Sequence, residues 1–241
     1  MNIRGFVRFS LNDFPGKMCC VLFVGDCNFR CPYCHNPHLV FDPESQPRIE
    51  ESQILNFLSG RIGKLDGIVV SGGEPSLRGG FPHFADAVKK MGFLLKLDTN
   101  GSNPEFVIRN HQKARLDAIG VDYKASVPRY NHITHSKIPD LAERVHRTIK
   151  YAVEHGLSID VRTTVHKSLL STNELRMMRE ELDSLGIRCW TLQQFHPVEI
   201  IDDELNSKPT YSDTELVEIA RSLGKDTRVR GLRGVFIDEY A

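Results

Sequence analysis

Cys27, Cys31 and Cys34 bring three thiols into eight residues of the stretch GDCNFRCPYCHNP (25–37). At this C-x3-C-x2-C spacing, three thiolates suit an iron–sulfur cluster whose fourth iron has no protein ligand and can bind a small molecule. Zinc is the competing chemistry, because His35 or His38 completes a Cys3His set by spacing. Three unrelated core thiols fit poorly, since Pro32 lies in a Gly-, Asn- and Pro-rich loop. On spacing alone the choice between cluster and zinc stays open.

Short apolar runs alternating with longer amphipathic segments predict βα units around a parallel sheet. Six strands are expected, at 18–24, 67–72, 93–98, 118–123, 158–165 and 189–195. Helices are expected near 50–60, 82–91, 104–113, 140–155 and 172–185, the last two stopped by Gly156 and Gly186. The SDTE at 212–215 reads as a capping box that opens one more helix. Six units are too few to close an eight-unit barrel, so the expected fold is α/β, a partial, open (β/α)6 barrel. Its cysteine loop directly follows the first barrel strand, and its site lies at the C-terminal strand ends.

Side-chain parity sharpens that expectation, because alternate strand residues share a face. Lys96, Asp98 and Asn100 fall on one face, as do Asp122 and Lys124, Asp160, Arg162 and Thr164, and Gln194 and His196. Helix-covered parallel strands have few solvated faces, so polar groups gathered toward the strand ends predict a wet functional lumen.

The 241 residues carry 31 Lys plus Arg against 31 Asp plus Glu, so no overall field recruits nucleic acid or an anionic membrane. The opening residues lack an apolar signal segment, and no apolar run approaches the roughly 20 residues of a membrane span. A cytoplasmic location is expected, where six cysteines read as thiols or metal ligands. Cys19, Cys20 and Cys189 are expected to be buried structural thiols. One domain is expected over 1–241, with a core at about 18–200 and a C-terminal helix and tail at about 211–241. The acidic and then loop-like stretch at 200–210 connects the two.

CNFRCPYC, followed about forty residues later by SGGEP (71–75), resembles the radical S-adenosylmethionine (SAM) superfamily. The resemblance implies that Cys27, Cys31 and Cys34 ligate a [4Fe-4S] cluster, that Tyr33 lies near the adenine of SAM, and that Gly72, Gly73 and Glu74 receive its amino group. Physical chemistry supports these roles: glycines let backbone approach a ligand, and a glutamate partners an ammonium. LDTNG (97–101) and VDYKA (121–125) resemble segments of glycyl-radical-enzyme activases. That likeness implies a monovalent cation at Asp98, Thr99 and Asp122, which would also relieve the repulsion between two carboxylates. Asn100 joins the SAM-binding set, Lys124 and Arg162 are candidates for the SAM carboxylate, and His196 matches a histidine that closes over SAM.

Without extra cysteine sets a second cluster is not expected. The opening segment most resembles activating proteins of the anaerobic ribonucleoside-triphosphate reductase. That resemblance implies reductive cleavage of SAM and hydrogen abstraction from a glycine of a partner glycyl radical enzyme, fed by a flavodoxin- or ferredoxin-type reductant. Asp26 departs from the glycine common before the first cysteine. A small-molecule enzyme of the deazapurine-forming kind and a zinc-binding module are the alternatives. Arg228, Arg230 and Arg233 read as a solvated basic strip or a partner-docking element.

Overall fold

The computed structural model describes residues 1–233. One eight-stranded sheet runs in chain order through β1 (Ile3–Ser10), β2 (Cys19–Val24), β3 (Gly67–Gly72), β4 (Leu94–Thr99), β5 (Ala118–Asp122), β6 (Ser158–Val165), β7 (Trp190–Gln194) and β8 (Thr227–Arg230). β1 pairs antiparallel with β2 and every later neighbour is parallel. β1 and β8 occupy opposite ends of the order, so the barrel is open.

The six expected strands form, and the sheet adds β1 and β8 at its edges. The sheet therefore reaches Arg230 instead of stopping near residue 200, and α8 (Asp213–Ser222) packs against β7 and β8. The part of the expected C-terminal tail from 234 onward lies outside the described residues. Remaining helices are α1 (Pro37–Phe41), α2 (Glu51–Ser59), α3 (Phe81–Lys90), α4 (Pro104–Gln112), α5 (Tyr130–Thr134), α6 (Leu141–Glu154) and α7 (Thr172–Ser184). The SDTE box closes as expected: Ser212 Oγ accepts from Glu215 N at 3.2 Å, and Ser212 N donates to Glu215 at 2.8 Å. Gly156 and Gly186 adopt φ of +64° and +81° just past their helices.

The central strands are apolar because both faces are covered. Cys20, Leu22 and Val24 join the main core with Ile54, Leu58, Ile68 and Val70 on the helix side. On the concave side Cys19, Val21, Val69 and Ala118 pack around Phe14 in a separate apolar cluster that floors the barrel. Cys19 and Cys20 are buried as expected, whereas Cys189 is exposed because it precedes β7 instead of lying in it. No helix among the described residues is long and apolar enough to cross a membrane.

Candidate active site

Above the apolar floor the concave wall becomes charged. Arg162 Nη2 lies 3.1 Å from Asp98, its Nε 3.1 Å from Asp122 and its Nη1 3.7 Å from Asp160. Lys96 pairs with Asp98, and Lys124 Nζ lies 3.1 Å from Asp122. Burial alone would raise the Asp98 carboxyl, but Arg162 and then Lys96 pull it below its ordinary value. Burial opposes ionisation of Asp122 as well, and Lys124 and Arg162 overcome it.

The resemblance implied a monovalent cation at Asp98, Thr99 and Asp122; Arg162 sits between the two carboxylates and offsets their repulsion. Thr99 is also committed, because its Oγ1 donates to Glu74 at 2.8 Å and accepts from Gly101 N at 3.1 Å. Gly120 makes the arrangement fit, since a Cβ there would stand 2.3 Å from Asp98 Oδ1 and 2.8 Å from Lys96 Nζ. A lone glycine amid AIGVDY carried no visible signal of that role.

A cavity opens over this wall at the C-terminal strand ends. Cys27, Cys31, Cys34 and Tyr33 line one side, Gly72 and Gly73 the next, and Asp98, Thr99, Asn100, Asp122, Lys124 and Arg162 the base. The cysteine loop is pinned from several directions. Asp26 N donates to Leu39 O at 2.8 Å, Arg30 N to Thr134 O at 2.9 Å and Asp202 N to Pro32 O at 2.9 Å. Asn100 Nδ2 donates to Asn28 Oδ1 at 2.8 Å. Burial pushes the Cys27 thiol up to about 12 and Cys31 to about 11, and Cys34 is raised by the same cause.

Among the described residues no group of three or more His, Cys, Asp or Glu converges on a single metal ion. That holds for Cys27, Cys31 and Cys34 by themselves as well as for the three with His35 or His38. His38 instead lies 3.0 Å from Glu199, and the His35 ring stands 6.0 Å from that of Phe195.

Three expected placements change. Glu74 is fully buried, and its carboxylate accepts from Ser76 N, Thr99 Oγ1 and Asn100 N at 3.0, 2.8 and 2.6 Å. It braces two strand ends and is not on the cavity wall. Gly72 and Gly73 keep their expected place on the cavity wall, and protein contacts also require them: a Cβ at Gly73 would meet Asp26 O at 2.0 Å, and one at Gly72, where φ is +118°, Val24 N at 2.3 Å. The β7 parity is shifted by one, so Gln193 lines the cavity and Gln194 turns outward to donate to Tyr211 O at 2.6 Å. His196 likewise stands off the wall, its Nε2 3.3 Å from where a Cβ on Gly231 would lie.

Asp26, the departure from glycine, has φ +76°, a region Asp tolerates better than most residues. Its carboxylate accepts from Arg78 Nε at 2.7 Å and Asn2 at 3.3 Å. Asp26→Gly is expected to leave stability within about 0.5 kcal/mol, and Asp26→Ala to cost about 1 kcal/mol. Urea melts check this; equal losses in both variants would mean that Arg78, not the backbone, holds the position.

Among known proteins, one of Methanocaldococcus jannaschii provisionally named a glycyl-radical enzyme activating enzyme is 26% identical over 240 residues, covering 97% of this chain and 98% of its own. A protein of Thermococcus kodakarensis provisionally named a GTP 3′,8-cyclase is 26% identical over 206 residues, covering 85% of this chain and 66% of its own. The anaerobic ribonucleoside-triphosphate reductase-activating protein of Escherichia coli is 35% identical over 77 residues, covering 31% of this chain and 49% of its own. Streptococcus suis SuiB, solved with its precursor peptide SuiA, superposes with a TM-score of 0.64 at 13% identity over 88% of this chain. The present chain spans about half of SuiB, at 48%, and that likeness concerns the fold. A family model matches residues 21–170, the stretch that carries the cysteine loop, the paired glycines and the charged wall. With that match over more than half its length, this chain belongs to the radical SAM superfamily.

Proposed function

We propose that the protein is a glycyl-radical-enzyme activase whose partner is an anaerobic ribonucleoside-triphosphate reductase. The observation that carries this reading is the M. jannaschii relative, which matches from end to end and bears an activase name. The shorter, closer match to the E. coli reductase-activating protein supports the choice of partner.

The donor set fits the cofactors that the family implies. Three thiols line the cavity, the number taken by a cluster that keeps one iron free of protein ligands. Tyr33 Oη is buried without a partner among the described residues, beside a cavity large enough to admit a ligand. Cys27, Cys31 and Cys34 would hold the cluster, Tyr33 would lie against the adenine, and Gly72, Gly73 and Asn100 would border SAM. Lys124, positioned by Asp122, would meet the SAM carboxylate.

Once bound there, cluster and SAM would supply reductive one-electron cleavage of the sulfonium, the electron coming from a flavodoxin- or ferredoxin-type reductant and methionine leaving, and with it the power to abstract a hydrogen atom. The chain's own residues perform positioning. Glu74 locks the ends of β3 and β4 together, Asn28 and Asn100 tie the cysteine loop to β4, and the wall below carries fixed charges that need no rearrangement on binding. Cys27, Cys31 and Cys34, whose thiols burial raises, would hold iron as thiolates.

The test is anaerobic. Iron-loaded, reduced protein mixed with SAM and the reductase should give a glycyl radical signal in electron paramagnetic resonance. The cyclase relative favours a second reading, a small-molecule radical enzyme. Formation of 5′-deoxyadenosine with GTP, and no glycyl signal with the reductase, would establish that reading instead.

A further inference from the structure

The arginine-rich segment after α8 is not one solvated strip. Arg228 is exposed, but Arg230, two residues on, turns into the cavity with Gln193, its register partner on β7. The other cations lining the cavity, Lys124 and Arg162, are each paired with carboxylates. Arg230 has a neutral partner: its Nε and Nη2 both donate to Gln193 Oε1, at 3.2 and 2.8 Å.

That contact also orients Gln193. Arginine offers only donors, so the amide oxygen must face it, and the amide N–H pair faces away. Those N–H groups, like the Thr164 hydroxyl beside them, have no acceptor among the described residues. Thr164, Gln193 and Arg230 are register neighbours across β6, β7 and β8, so they form one row of donors along the cavity wall. The row lies at the far end of the sheet from β2 and its cysteine loop, and Arg230 stands on the strand at the open edge. Burial and then Arg162 disfavour the charge on Arg230, while Asp160, Asp122 and Asp98 act the other way without an ion pair to it.

We propose that the Thr164–Gln193–Arg230 row receives the oxygens of the hydrogen-donating polypeptide segment, with Arg230 as the specificity-determining residue. The proposal rests on the activase reading. An extended segment entering at the open edge presents carbonyls to such a row, and the guanidinium takes either a main-chain carbonyl or a side-chain carboxylate.

The experiment uses the iron-loaded enzyme, the reductase as partner, and the variants Arg230→Gln, Arg230→Lys and Arg228→Gln. Arg230→Gln should raise the KM for the reductase by about tenfold or more, the scale of a lost hydrogen bond to a charged group. Its SAM affinity, read by equilibrium dialysis, should stay at the wild-type value. Arg230→Lys should recover part of the KM, because it keeps the charge and loses the fork. Arg228→Gln should match wild type, and thermal melts of all three check folding. In the reductase, neutralising acidic residues around the target glycine separates the two oxygen sources: an added effect only with wild-type Arg230 marks a carboxylate, none a carbonyl. A parallel fall in SAM affinity, or an unchanged KM, overturns the proposal alone. Absence of any glycyl signal with the wild-type enzyme removes the activase reading and the proposal with it.

Discussion

Arg162→Gln is expected to destabilise the protein by about 3 kcal/mol at neutral pH, the low end of the cost of breaking a buried ion pair, because Lys96 still partners Asp98. The side chain of Arg162 is 7% exposed and that of Asp98 10%, so little water is at hand to replace the lost charge. Asp122 is 43% exposed and keeps Lys124, so its share is discounted for screening. The sign with pH follows from the depressed carboxyls. A carboxyl held below its unfolded value of about 3.9 contributes stability that is present above that pH and lost as pH falls through the folded value. Removing Arg162 lets burial push both carboxyls back up. The difference between variant and wild type should therefore be largest near pH 7 and shrink below about pH 4, where protonation relieves the stranded charge. Urea titrations across that range measure it. A difference that stays constant from neutral to acid would mean that Arg162 acts through packing alone.

Much of this wall was legible in the sequence because parallel βα units have a strong signature. The strand at 158–165 is observed with those bounds, and polar residues on one parity of β4, β5 and β6 do meet in the lumen. The signal faded where only one neighbour constrains a strand. β1 is a half-exposed edge with Val7 and Phe9 open to solvent, so its pattern resembles a loop. β8 is four residues of TRVR and reads as a charged strip. In β7 both Gln193 and Gln194 are polar, and only the tertiary contact of Gln194 with Tyr211 decides which faces inward. Close backbone approaches were equally hidden. The glycines after β3, read as room for a ligand, do line the cavity, but the sequence did not show that the atoms nearest their absent side chains belong to Val24 and Asp26.

That last contact sets the other large effect, expected for Gly73→Ala. Gly73 N donates to Val24 O at 2.8 Å, and Glu74 N donates to Asp26 O at 2.7 Å. A methyl group 2.0 Å from Asp26 O cannot coexist with the second bond, and its nearest neighbours are backbone, which has no rotamer to yield. The cysteine loop must move away from the end of β3. Overpacking of this kind costs about 1–3 kcal/mol, so the protein should still fold and melt cooperatively. Its chemistry should suffer more. Cys27 follows Asp26 directly, and a displacement of about 1 Å between groups that must react is worth about a hundredfold in rate. Single-turnover formation of 5′-deoxyadenosine by the reduced, iron-loaded variant is the measurement, with iron content determined on the same sample. Gly79→Ala is the control, since nothing lies within 4 Å of a Cβ there. If Gly73→Ala cleaves SAM at the wild-type rate, the junction between the cysteine loop and β3 is not what positions the reacting groups, and the cavity wall must tolerate a loop that floats.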